Sequence, residues 1–383
     1  MPEKMTSKER MLTAMRNQQP DRVPVAPDIS NMIPARLTGK PFWDIYMHDD
    51  PPLWKAYIQA VRYFGFDGWV QYGGSVRFHT RGDQRQFSTK ILQQTAERIT
   101  VLTVCQTPAG DLTQETVYYV ADPPTVTRKW IKNLREDLPK LRYFFPEITG
   151  CDDSILREQQ QSIGQDGAVG PIVGLPGFHD LFGWFDGSLA SASYAYYDDY
   201  DLLREFVSWQ EAQILRQAEM TIDLRPEFIM IGASGLWTLS TPAAVRDLTL
   251  PTLQKITRMA KQAGVPTMLH CCGRERTLAK LCAEETDLDC INPLEVEPQG
   301  DCDLAEVKAS LGHRLSLFGN IPTTSTMLLG TPADVEIAAR KCIDDAAAGG
   351  GFILSTGDQC GRDTPDANIF KLVEVAKTYG QYQ

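Results

Sequence analysis

The sequence predicts an α/β fold: a (β/α)8 TIM barrel carrying an antiparallel β insertion near residues 77–130. Three observations predict it. In the C-terminal half, four short apolar runs each lead into a helical pattern, and such alternation implies parallel strands covered by helices. Helix starts recur as Thr-Pro, at Thr241-Pro242, Thr331-Pro332 and Thr364-Pro365, where threonine caps free amides and proline suits the first turn. Four further apolar runs precede these units, which makes eight strands, the number that closes a barrel. A doubly wound open sheet is the alternative, but no glycine-rich nucleotide fingerprint follows an early strand.

In chain order, "TSKE" opens a helix with a capping box of Thr6 and Glu9. The candidate strands are then "RVPVAPDI" at 22–29, "FDGWVQYG" at 66–73, "GAVGPIVGL" at 167–175 and "EFIMIG" at 227–232. "PTMLH" at 266–270, "CINPLE" at 290–295, "RLSLFGNI" at 314–321 and "GFILSTG" at 351–357 complete the eight. The helix from Thr241 to about Gly264 places Val245, Leu248, Ile256 and Met259 on one apolar face. The helices after Thr331 and Thr364 close at glycine. Residues 77–130 break the alternation with period-two runs around a "PAGD" turn, so they read as an antiparallel insertion. No linker marks a second domain, and the expectation is one barrel domain over 1–383.

Hydrophobic residues make up 43% and charged residues 23%, an ordinary globular balance. A net charge of -11 with no basic stripe excludes a general nucleic-acid binder. No apolar run is long enough to span a membrane, and the N-terminus lacks the apolar core of a signal peptide. Nine cysteines form no disulfide framework, so the expected location is the reducing cytoplasm. Most of these thiols should pack as small hydrophobes, Cys342 in an Ala-rich helix among them.

Barrel enzymes work at the C-terminal ends of their strands. There the sequence places "HCC", His270 to Cys272, after the fifth strand and Cys360 after the eighth. An imidazole and two thiolates suit zinc and leave a fourth position for substrate. The same residues are equally compatible with a packed strand end. Strand alternation turns Cys271 away from its neighbours, toward the surrounding helices. Glu295, Asn320 and Asp358 also sit at strand ends. They are candidates to complete a metal shell, donate to an oxygen or orient a ligand, and each also fits a loop anchor.

Over nearly the whole chain the sequence resembles the uroporphyrinogen decarboxylase superfamily, within it the corrinoid-linked, zinc-dependent methyltransferases. The resemblance runs from "SKERMLTAMRNQQPDRVPVAP" through "LSTPAAVRDLTLPTLQKITRMAKQAGVPTMLHCCG" to "GGGFILSTGDQCGRDTPDANIFKLVEVAKTYG". It implies a metal site of His270, Cys272 and Cys360, and a cobalamin carried by a separate corrinoid protein. The chain itself has no Asp-X-His-X-X-Gly motif to ligate cobalt. The decarboxylase's Arg-Gln-Ala-Gly-Arg segment is missing from "VPVAPDISNMIPARLTG", which argues against decarboxylation. A structural zinc scaffold would use four protein ligands, whereas three imply an open position.

Two reactions remain. In one, a thiol of the coenzyme M type takes a methyl group from methylcobalamin. In the other, a Co(I) corrinoid takes it from a small-molecule donor. Two features favour a methoxylated aromatic as that donor, and hence O-demethylation. "GFHDLFGWFDG" and "YAYYDDY" put Phe178, His179, Trp184 and several tyrosines in the loop after the third strand. The insertion also enlarges the chain. Tyr72 and Trp237, after the second and fourth strands, are further candidates for the pocket wall. Loop packing is the competing account of such an aromatic cluster.

Overall fold

The computed structural model describes residues 4–29, 31–71 and 75–382. The described part of each run expected to be a strand lies in the barrel wall. Gly68–Val70 pairs in parallel with Gly167–Val169, and that strand resumes after Gly170-Pro171 as Ile172–Gly174. Proline has no amide hydrogen to give the ladder, which accounts for the break. From Ile172–Gly174 the parallel order continues through Ile229–Gly232, Thr267–His270, Cys290–Asn292, Ser316–Ile321 and Phe352–Thr356.

Residues 22–29 close the ring. On one side Leu354 N donates to Pro24 O and Ala26 N to Leu354 O, both at 2.9 Å; on the other Asp67 N donates to Val25 O at 2.8 Å. The protein is therefore a (β/α)8 barrel. Its interior is packed: Trp69 and Phe318, from the second and seventh strands, lie with ring centroids 4.8 Å apart and are fully buried.

The helical punctuation follows local chemistry. Thr6 and Glu9 form their capping box, as do Thr331 and Asp334. Thr241 caps Ala244 N, but the helix it opens is interrupted by a wide turn at Val245–Thr249 before Leu250–Ala263. Pro251 cannot donate to an i−4 carbonyl, so the turn ahead of it widens. Thr364 departs from expectation. Pro365 takes the cap position, and no side chain caps Asp366–Thr378.

The insertion is a four-stranded antiparallel sheet of Gln86–Gln94, Arg98–Thr107, Gly110–Tyr119 and Thr125–Arg128, with the expected turn at residues 108–109. Arg77–Arg81 pairs instead with Glu147–Asp152. One face of the sheet contributes Cys105 and Leu112 to a second hydrophobic core, shared with Phe178, Leu181, Phe185 and Phe206. No helix among the described residues is long and apolar enough to cross a membrane.

Candidate metal centre

Parallel register builds the site. His270 ends the fifth strand directly beside Asn292 of the sixth, so their side chains leave the wall on the same face. His270 Nδ1 lies 2.6 Å from Asn292 Oδ1, while Asn292 Nδ2 donates to Phe318 O at 3.2 Å. The second bond fixes which end of the amide is oxygen. Nδ1 must therefore carry a hydrogen, which in the neutral ring leaves the lone pair on Nε2.

That lone pair meets two other electron donors. His270, Cys272 and Asp358 place one ligand atom each within 4.8 Å of one another, the one such group of three or more among the described residues. Burial pushes the Cys272 thiol up to about 12; Asp358 adds to this and a Ser234 hydroxyl opposes it. Such a thiol stays protonated at neutral pH unless a cation lies beside it. Imidazole nitrogen, thiol sulfur and carboxylate oxygen are together the donor set of a zinc site, and the residues fit that metal.

The surrounding loops are locked to each other. Glu295 Oε2 accepts from Gly273 N, and Glu275 Oε2 accepts from Leu294 N at 2.5 Å. Each acid thus holds the other's loop. Burial raises the Glu295 carboxyl to about 7, with Gly273 N opposing, Asp358 adding and His270 opposing. Gly235 N donates to Cys272 O at 3.2 Å, which seats the loop after the fourth strand against the same turn.

The other expected residues fall differently. Cys360 is not in the converging group. Its backbone N donates to Asp28 O at 2.8 Å, and its buried sulfur is turned toward the hydroxyls of Thr356 and Thr364. Asn320 is an anchor: Nδ2 donates to Leu294 O at 3.0 Å and Oδ1 faces the Cys342 sulfur at 3.5 Å, so no polar end is left for a substrate. Phe178 and Trp184 belong to the second core. Phe178 meets Tyr196 edge-on at 5.4 Å, and Trp184 packs on Phe144 and Phe206 at 5.7 and 5.3 Å. Both rings are thus engaged in packing. His179 lies beside Phe178, its pKa driven down to about 4 by burial, against the opposing Leu175 backbone. Trp237 is half-buried on the loop seated against Cys272, and its backbone reaches the Cys271 sulfur. Cys271 is fully buried in the main core, as alternation requires. Tyr72 lies outside the described residues. Asn292, Ser234, Glu275 and Thr356 were not singled out from the sequence; only the positions of Asn292 and Thr356 at strand ends hinted at a role.

The family model for uroporphyrinogen decarboxylase (URO-D) matches residues 192–379, a span holding the last five strands and all of His270, Cys272, Asp358 and Cys360. That match covers just under half of the chain. Over 387 aligned residues it is 26% identical to a methylcobamide:CoM methyltransferase, MtbA, of Methanosarcina mazei, covering 98% of each chain. The MtbA of Methanosarcina acetivorans is 26% identical over 284 residues, 72% of this chain and 75% of that one. A solved methyltransferase structure from Methanosarcina mazei superposes with a TM-score of 0.65 at 18% identity, over 98% of this chain and 99% of that one, and supports the barrel. The donor cluster lies wholly within that matched span, and by its full-length likeness to these enzymes the chain is a methyltransferase.

Proposed function

We propose that this methyltransferase moves a methyl group from the cobalt of a corrinoid, carried by a separate protein, to a small thiol of the coenzyme M kind. The observation that carries the reading is the convergence of His270 Nε2, Cys272 and Asp358 at the strand ends. The activity printed for the full-length relatives supports the thiol. The methoxylated-aromatic reading, by contrast, rested on an aromatic loop of which Phe178, Trp184 and Phe185 are occupied in packing. Cytoplasmic work suits nine free cysteines.

Zinc bound here would hold an incoming thiol deprotonated and nucleophilic near neutral pH. The chain's own residues prepare for it. Asn292 Oδ1 directs the hydrogen of the neutral His270 ring to Nδ1, and Cys272 would supply a thiolate ligand. Glu275 and Glu295 clamp the two loops, so that these atoms are held in place before substrate arrives. The resemblance names Cys360 as a further ligand, a role that asks its side chain to turn from Thr356 and Thr364. The transfer balances: methyl-cobalt(III) and a thiol give Co(I), a methyl thioether and one proton.

The test follows the corrinoid absorption spectrum with the purified enzyme, a corrinoid protein and a panel of methyl acceptors and donors. Methyl-cobalt should disappear with coenzyme M and persist with His270→Ala in place of the wild type. Uroporphyrinogen should be unchanged. Methylation of Co(I) by a methoxylated aromatic, with no transfer to any thiol, would replace this reading by O-demethylation.

A further inference from the structure

Resting on the thiol reading above, we infer that Gln71 determines which thiols are used: its carboxamide N–H donates to the acidic head of the substrate, leaving the sulfur to face the donor cluster. Three observations lead there. The first is a buried amide with nothing to bond. Gln71 is 3% exposed, and its Oε1 is shut off from solvent with no hydrogen-bond partner among the described residues. Two residues earlier the Trp69 indole Nε1 is likewise buried and without such a partner. Unmet polar groups are costly, so folded chains keep them where something else supplies the bond.

The second is position. Trp69 packs on Phe318 inside the barrel, and alternation turns Gln71, two residues on, to the same inward face. Height follows from register. His270 pairs with Gly232, and Gly232 with Gly174 of the third strand. The second strand meets that same third strand through Val70 and Val169. A barrel of eight strands and shear 8 slips by about one residue per strand, which brings the level of His270 to the residues just after Val70. Gln71 therefore stands across the mouth from the imidazole.

The third is charge. The buried Lys and Arg residues among the described residues are Arg10, Arg22 and Lys129. Both arginines bind Asp67 where the first strands begin, and Lys129 Nζ donates to Phe182 O and Ser188 Oγ. An acidic head at the mouth must then be met by neutral N–H groups. Asn292 and Asn320, the other amides at strand ends, donate to Phe318 O and Leu294 O. Gln71 is the amide left, and a half-turn about its last bond presents either end to a ligand.

The experiment uses the full-length, zinc-loaded chain with methylcobalamin as methyl donor. It compares wild type with Gln71→Leu and with Gln71→Met, which is closer in shape. Two acceptors are offered: 2-mercaptoethanesulfonate, and ethanethiol, which lacks the head. Wild type should favour the sulfonate. Both variants should raise KM for 2-mercaptoethanesulfonate by about tenfold or more, as loss of a bond to a charged group does, and leave kcat/KM for ethanethiol within a few-fold. Neither should lower the zinc content or the melting temperature, because an apolar side chain replaces an amide that has no partner. Ethanesulfonate, which carries the head without the sulfur, should raise the melting temperature of the wild type and not of the variants. An unchanged preference for the sulfonate in both variants, equal losses on the two acceptors, or equal stabilisation by ethanesulfonate would overturn the assignment while the thiol reading stands. A wild type that transfers methyl to no thiol would overturn that reading and this inference with it.

Discussion

His270 illustrates how one contact sets the chemistry of a residue. The imidazole has two nitrogens of equal standing until Asn292 Oδ1 takes a hydrogen from Nδ1, and Asn292 is itself oriented by Phe318 O. Removing Asn292 leaves the ring free to turn and to carry its hydrogen on Nε2 instead of Nδ1. Asn292→Ala should weaken zinc by about 10- to 100-fold, the usual price of losing such an outer contact, with circular dichroism unchanged. Competition against a chromophoric chelator measures it. Cys271→Ser should bind zinc as wild type does, because that thiol lies on the other side of the strand in the main core.

At the scale of elements, the helix Phe178–Trp184 shows how an aromatic run becomes packing. Its residues meet the insertion and the long helix Tyr200–Asp223, and Trp184 closes the seam between Phe144 and Phe206. Asp180 sits on the same helix and accepts from Gln210 Nε2 at 2.6 Å, with the Trp184 side chain a second donor. Burial outweighs both donors and lifts its pKa from 3.8 to about 6. The folded state therefore holds a proton that the unfolded chain releases between these values. Stability from this group is complete below pH 3.8 and is lost as pH rises through about 6. Asp180→Asn should remove that slope and gain on the wild type by on the order of 2 kcal/mol between pH 4 and pH 7, read from urea titrations at each pH. Parallel curves for the two proteins across that range would show that Asp180 does not titrate there.

The whole molecule keeps stability and chemistry at opposite ends. Where the first two strands begin, Asp67 joins Arg10 and Arg22: Arg10 Nη1 lies 2.6 Å from Oδ1, Arg22 Nη1 2.8 Å from Oδ2, and Val25 N also donates to Oδ2, at 2.9 Å. Asp67, Arg10 and Arg22 are essentially inaccessible to water. This knot ties the N-terminal helix to the strands that close the ring, far along the barrel axis from His270. Asp67→Ala leaves two buried guanidiniums short of their shared carboxylate and should destabilise by about 3–5 kcal/mol. Denaturant unfolding reads that loss. Zinc affinity measured under native conditions should be unchanged, because Asp67 contacts nothing at the metal site.

Strand positions, the insertion and its turn, and the capping box of Thr6 and Glu9 were legible in the sequence because they depend on local periodicity and cap chemistry. So was the inward set of His270 and Cys272 with Cys271 turned away, since alternation along a strand is itself local. Thr364 marks the limit of such reading. Its Thr-Pro signature matched a cap, yet its hydroxyl turns toward Cys360. The aromatic loop marks it again, because an aromatic run looks the same whether it lines a pocket or a core. Only the tertiary structure decided that Asn292 orients His270, that Asn320 is consumed by Leu294 and Cys342, and that Asp358 rather than Cys360 stands with the imidazole. Those outcomes depend on the register between strands and on which loops meet at the mouth. Register and loop contacts arise from residues tens to hundreds of positions apart, and no local pattern encodes them.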